Sequence, residues 1–141
     1  MFSALRFRDN ANDYRTTCLR RVRNHNLQNK VVVVTGASGA LGKELCFAFS
    51  KVGATVVMAG RNTTKLEKAK EEILKREIPS SEEFGAPVEG GSLTPMALDL
   101  GDYESIQTFV LALKKKYPKG IYALVNNAGV VPSSSKGYQE S

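Results

Sequence analysis

Hydrophobic and polar positions alternate in two distinct rhythms from residue 30 onward. Lys30 to Thr35 holds four consecutive valines, Val31 to Val34, the unbroken apolar run of a strand buried on both faces. Leu41, Leu45, Phe49 and Val52 then recur at close to i, i+4, i+8 and i+11, which predicts a helix with these four residues inward, stopping at Gly53. Residues 54 to 60, Ala-Thr-Val-Val-Met-Ala-Gly, read as a second strand. The helical period returns from about Thr64 to Arg76, with Leu66, Ala69 and Ile73 inward and Glu71–Lys75 and Glu72–Arg76 paired outward at i, i+4. Two prolines and three glycines make residues 78 to 92 an irregular loop. Leu93 to Leu98 is a third, short strand, and Pro95 within it argues for the edge of a sheet. Asp102 is a good N-cap for a third helix, with Ile106, Phe109, Val110 and Leu113 inward. Lys114, Lys115 and Lys116 end it, where the helix dipole favours cations and a lysine run is ordinarily a solvated helix end, before Pro118 and Gly120 stop the pattern. Ile121 to Val125 is a fourth strand, running into Asn126-Asn127-Ala128-Gly129.

Four strands alternating with three helices predict an α/β fold: a parallel sheet with right-handed crossovers, the first half of a Rossmann-type doubly wound sheet. In the strand order usual for such sheets the first and fourth strands are neighbours, so the turns after Thr35 and before Asn126 meet at the carboxyl ends. The first of these turns is glycine-rich: Thr35-Gly-Ala-Ser-Gly-Ala-Leu-Gly42. Gly36 permits a tight turn, Gly39 lets the backbone approach a phosphate, and Gly42 lets the helix pack closely on the strand. The free N–H groups at the helix start then face the anion. Strand, glycine turn and helix start in this order are what a dinucleotide pyrophosphate requires.

Composition narrows the alternatives. The 141 residues carry ordinary apolar (42%) and charged (24%) fractions, and no stretch has the length needed to span a bilayer. Of the net charge of +6, +4 sits in residues 1–29, which hold Arg6, Arg8, Arg15, Arg20, Arg21 and Arg23 against Asp9 and Asp13. We divide the chain accordingly into a basic, flexible or loosely helical extension over 1–29 and a domain over 30–141. A nucleic-acid partner is not expected, because the basic extension has neither a stacking pattern nor a recognition motif. Met1, Phe2, Leu5, Phe7 and the arginines fit an organelle-targeting leader, while Asp9 and Asp13 count against one. Cys18 and Cys46 match neither a disulfide framework nor a metal spacing, so a reduced compartment with Cys46 buried is expected, cytoplasmic unless the leader directs the chain elsewhere. His25 lies in a polar stretch and reads as a surface residue, and with so few Cys and His ligands no zinc site is expected.

Four features together resemble the N-terminal half of the short-chain dehydrogenase/reductase family, in particular its retinol-dehydrogenase-like members. They are Thr35 to Gly42, Gly60-Arg61-Asn62 after the second strand, Asp99-Leu100 after the third, and Asn126 to Gly129 after the fourth. The match runs from about Lys30 to the last residue. It departs from the commonest family pattern at one point, placing its second glycine at Gly39 rather than where Ala40 stands. The resemblance implies an NAD(P) site formed by Thr35, Gly36, Ser38, Gly39, Ala40, Leu41, Gly42, Arg61, Asn62, Asp99, Leu100, Asn126, Asn127, Ala128 and Gly129. It assigns the Asp99 carboxylate to the adenine amino group and the Leu100 N–H to a place beside the ring. The Asn126–Gly129 segment would steady the central strand and border the cofactor, with Thr35 tying the two turns together. At the end of the second strand an NAD site usually offers a carboxylate to the ribose hydroxyls. Here Ala59 and Gly60 are followed by Arg61, whose guanidinium can hold a 2′-phosphate through two parallel hydrogen bonds, so NADP is expected over NAD.

The family's chemistry is carbonyl reduction or alcohol oxidation by a tyrosine acid/base, a lysine four residues later and an upstream serine. None of the tyrosines here has lysine at +4: Tyr14, Tyr103, Tyr117 and Tyr122 are followed there by Cys18, Gln107, Ile121 and Asn126, and Tyr138 lies three residues from the end. Ser133 to Ser135 come too early for the catalytic serine. No catalytic residue is assigned, and the chain is read as truncated. Two readings follow. One is an NADP-dependent oxidoreductase for a small lipophilic alcohol, aldehyde or ketone, present without its catalytic half. The other is a dinucleotide-binding or regulatory fragment without turnover. In-frame sequence beyond Ser141 containing Tyr-x-x-x-Lys separates them. In either case the fourth strand becomes an apolar sheet edge that invites self-association.

Overall fold

The computed structural model describes residues 18–78 and 86–129. Among them the elements run α1 (Cys18–Val22), β1 (Val31–Thr35), α2 (Ala40–Lys51), β2 (Thr55–Gly60), α3 (Thr63–Leu74), β3 (Ser92–Ala97), α4 (Tyr103–Lys116) and β4 (Ala123–Val125). The four strands form one parallel sheet in the order β3-β2-β1-β4. Pro95 stands on the edge strand β3, opposite Met58, where its missing N–H costs no outer ladder bond. β1 lies beside β4 as expected, with Val32, Val33 and Val34 opposite Ala123, Leu124 and Val125.

Successive strand residues point to opposite faces, so the valine run divides between two cores. Val32, Val34, Val56 and Met58 pack with Leu19, Cys46, Phe47, Leu66 and Ile73 under α1, α2 and α3. Val33, Val57 and Ala59 pack with Leu98 and Phe109 under α4, alone among the described helices. Residues 18–22, which the sequence analysis placed in the basic extension, form a helix with Leu19 buried in the larger core.

Four sequence expectations need correction. The inward face of α2 is not the Leu41–Leu45–Phe49 line: Gly42, Cys46, Phe47 and Ala48 are buried, Leu45 and Phe49 are half-buried, and Leu41 is 61% exposed. Gly42 sets this phase. A Cβ there would lie 2.2 Å from the Gly36 carbonyl oxygen, so that position must face the turn and the helix rotates accordingly. The outward pairs along α3 are replaced by pairs across to α2, Lys43–Glu72 and Glu44–Arg76, each 2.7 Å. An i, i+4 pair contributes only a few tenths of a kcal/mol, whereas Arg76 beside α2 also stacks on the Phe47 ring, 4.0 Å from its centroid. Val110, expected inward on α4, is 38% exposed, and β4 is shorter than expected because Ile121 and Tyr122 precede it. Tyr122 nevertheless donates its N–H to the Val31 carbonyl at 2.8 Å.

Candidate functional site at the carboxyl ends of the strands

Because all four strands run the same way, the segments that follow them line up in sheet order along one edge. The Asp99 turn, the Arg61 turn, the glycine turn and the Asn127 turn succeed one another as β3, β2, β1 and β4 do. At a strand spacing of about 4.8 Å this row extends over roughly 14 Å.

The two central turns are joined through one side chain. Thr35 is 3% exposed. Its Oγ1 accepts the Asn127 N–H at 3.1 Å and the Ala128 N–H at 3.0 Å, and donates to the Val125 carbonyl at 3.3 Å. Asn127 answers from the other side, its Nδ2 donating to the carbonyls of Thr35 at 3.2 Å and Gly36 at 3.3 Å. The contact implied between Thr35 and the asparagine turn is therefore present. It is made by Asn127, while Asn126 is exposed. Gly36 sits at φ 63°, and a Cβ there would meet the Ala128 Cα at 2.9 Å, so both its backbone angle and its neighbour require glycine.

The glycine turn leads into α2 with an uncapped start. Gly39 is the N-cap residue and no side chain accepts from the first turn. The Gly39 N–H donates to Gly36 and the Lys43 N–H to Gly39, leaving the amides of Ala40, Leu41 and Gly42 without intrahelical partners. Ser38 is half-buried in the turn, and Gly39, Ala40 and Leu41 are exposed. One connection that the sequence does not reveal is the Ala37 N–H, which donates to the Ala59 carbonyl at 3.3 Å and pins the turn to β2. Nothing in the identity of an alanine signals such a bond.

On the other flank, Arg61 and Asn62 follow β2 and are exposed. Asn62 is committed to the fold: its Oδ1 caps α3 by accepting the Lys65 N–H at 3.0 Å. Arg61 forms no ion pair or hydrogen bond with a described residue. Leu98 binds the Gly60 carbonyl through its N–H at 2.9 Å, which places the Asp99 turn beside the Arg61 turn. The Asp99 carboxylate takes the Gly101 N–H at 2.9 Å, and the Asp99 N–H donates to Ser105 Oγ at 2.9 Å, a second tie not anticipated from the sequence. Leu100 is 53% exposed, and Ala128 and Gly129 are exposed beyond Asn127.

Titratable groups are perturbed away from this edge. Burial pushes the Cys46 thiol up to about 12, and raises that of Cys18, with the nearby Glu44 charge adding to the effect. The Lys43 ammonium holds the Glu72 carboxyl below its ordinary value. Among the described residues no helix is long and apolar enough to cross a membrane.

A parallel sheet whose carboxyl ends gather a glycine turn, an uncapped helix start and an asparagine clamp defines a Rossmann-type nucleotide fold. The chain belongs to the short chain dehydrogenase family, matched over residues 30–140. Its relatives include the dehydrogenase/reductase SDR family protein 7-like of Drosophila melanogaster, 34% identical over 104 residues that cover 74% of this chain and 29% of that one. Retinol dehydrogenase 12 of Mus musculus is 35% identical over 111 residues, 77% of this chain and 30% of that one. The chain thus spans less than a third of the length of these curated relatives. A metagenomic short-chain oxidoreductase solved in complex with NADP superposes with a TM-score of 0.59 at 31% identity, over 74% of this chain and 41% of that one. The family consists of oxidoreductases that use a nicotinamide dinucleotide.

Proposed function

We propose that this chain is the cofactor-binding part of an NADP-dependent oxidoreductase acting on a carbonyl or alcohol of a small lipophilic substrate. The observation that carries the reading is the row of four turns held in register by Thr35, Asn127, Ala37 and Leu98. The residues fit the cofactor. The unpartnered amides of Ala40, Leu41 and Gly42, with Ser38 and the Cβ-free Gly36 and Gly39 beside them, would hold the pyrophosphate. Asp99 and Leu100 would receive the adenine, Arg61 and Asn62 the phosphorylated ribose, and Asn126, Asn127, Ala128 and Gly129 would border the nicotinamide half. When bound, the cofactor supplies or accepts the hydride.

Arg61 supports NADP over NAD. An exposed guanidinium at the positive end of α3, without an ion-pair partner among the described residues, is electrostatically misplaced until an anion joins it. The NADP-bound relative is consistent with this choice. Calorimetric titration of wild type and Arg61→Ala with NADP(H) and NAD(H) is the test. Loss of about 1.5–3 kcal/mol for NADP(H) only is expected; equal weakening for both, or none, refutes the assignment. The same preparations, offered aldehydes and ketones with NADPH, are expected to show no turnover, because the sequence contains no Tyr-x-x-x-Lys to move the proton.

We also infer self-association through β4, whose outer edge has no strand partner among the described residues and whose Leu124 is 53% exposed. From cysteine usage we assign a reduced compartment, the cytoplasm, with the basic leader as a route to an organelle.

A further inference from the structure

The amino ends of the strands, opposite the row of turns, carry a different chemistry. α4 finishes there with Lys114, Lys115 and Lys116 in its last turn, whereas α2 has only Lys51 in its last turn and α3 has none before its C-cap residue Lys75. The helix dipole accounts for cations at a helix end, but it acts equally on all three helices and does not reach Lys119, which lies beyond the helix. The connection to β4 is short and held: the Tyr117 N–H donates to Leu113, the Gly120 N–H to Tyr117 and the Tyr122 N–H to Val31, each at 2.8–2.9 Å. It presents two large apolar side chains to solvent, Ile121 at 40% and Tyr122 at 61% exposure. Lys30 joins the same corner, its Nζ 5.3 Å from the centre of the Tyr122 ring. No acidic residue stands between Glu104 and Glu140 in the sequence, and none of these five lysines forms an ion pair with a described residue.

We propose that the corner formed by Lys114, Lys115, Lys116, Lys119, Lys30, Ile121 and Tyr122 is a peripheral docking surface for an anionic lipid bilayer. Charge complementarity favours an anionic partner, and the exposed Ile121 and Tyr122 decide which kind. An exposed aliphatic side chain next to a lysine-rich segment has no role in a phosphate groove but inserts at the headgroup boundary, where a tyrosine ring sits with its hydroxyl in water. The corner contains no arginine fork of the kind that reads phosphates and bases in nucleic acid. Since the strands are parallel, docking here turns the Gly36 and Asn127 turns away from the bilayer, so the candidate nucleotide site stays open to water.

The test is co-sedimentation of the full 141-residue chain with vesicles of phosphatidylcholine alone or mixed with phosphatidylserine. Binding to the mixed vesicles only, weakening as salt rises, is expected. Each lysine replaced by glutamine lowers partitioning roughly fivefold, so the Lys114→Gln, Lys115→Gln, Lys116→Gln, Lys119→Gln combination removes measurable binding. Lys119→Gln alone, outside any helix, gives the single fivefold step where the combined variant fails to fold. Ile121→Ser with Tyr122→Ser weakens binding at unchanged charge. Absence of binding to the mixed vesicles overturns the proposal, as does equal binding to phosphatidylcholine alone. Undiminished binding by the lysine variants overturns it too, since the arginines of residues 1–29 would then be responsible. So does displacement from the vesicles by duplex DNA or RNA at equal phosphate, which would assign the corner to nucleic acid.

Discussion

The two faces of the sheet are built from the same valine run and end up with different neighbours. On one face α1, α2 and α3 bury Phe47, Met58, Leu66 and Ile73 almost completely. On the other, among the described residues, α4 stands alone over Val33, Val57 and Ala59, with Phe109 as its one fully committed aromatic, while Val110, Leu111 and Leu124 remain exposed. The strand sequence does not distinguish the faces, since Val32 and Val33 are both fully buried. The difference lies in how many helices reach each side. Stability is therefore concentrated on the face that carries α2, the same helix whose first turn forms the candidate nucleotide site.

The sharpest way to break this comparison is to empty each face in turn. Phe47→Ala removes a ring enclosed on all sides and supporting Arg76, and is expected to cost about 3–5 kcal/mol in urea unfolding. Phe109→Ala, on the face with room to relax, is expected to cost less than Phe47→Ala. Equal losses would mean that the second face is as tightly packed as the first.

A pH titration probes the crowded face alone. The Cys46 thiol ionises from about 9.0 in the unfolded chain but only near 12 in the fold. Burial thus contributes stability that is fully present below pH 9 and lost progressively as pH rises through that window, because the unfolded state sheds its proton first. Cys46→Ala should flatten the decline between pH 9 and 12 relative to wild type, while the contribution of Cys18, also raised, persists in both. Parallel curves would show that Cys46 is more accessible than its burial indicates.

Smaller effects belong to the open face and its edge. Ala123→Lys puts a charge on β4 and should shift the chain toward monomer in size-exclusion chromatography with light scattering. A wild type already monodisperse as a monomer would remove the basis for self-association. Leu111→Glu, at a position 69% exposed, should change stability by no more than about 0.5 kcal/mol. A larger loss would mean that something covers that face.

Much of the architecture was legible in the sequence for reasons that are local. The run Val31–Val34, the cap at Asp102 and the proline in β3 each act locally, and adjacency of β1 to β4 is the strand order usual for such sheets. The phase of α2 was not legible, because Leu41 looks more suited to burial than Gly42, yet close approach to the Gly36 carbonyl decides it. The cross-helix pairs were hidden for a related reason: Lys43 and Glu44 lie 29 and 32 positions from their partners. Within the candidate site, Thr35 and the asparagine turn could be named in advance. Which asparagine clamps, and the bonds of Ala37 and Ser105, depend on backbone positions that residue identity does not encode.

The Thr35 hydroxyl has its single proton and both lone pairs engaged, and all three partners belong to the end of β4 and the turn after it. The glycine turn and the last strand are thereby coupled: neither can loosen without stranding polar groups of the other. Tightening one favours tightening of the other, and the coupling free energy is the same in both directions. Amide exchange should report this directly. A nucleotide settling on the glycine turn would slow exchange at Asn127 and Ala128, in the turn after a different strand, and in Thr35→Val that remote protection would weaken to what the Asn127 side-chain bonds retain, while Thr35→Ser would keep it.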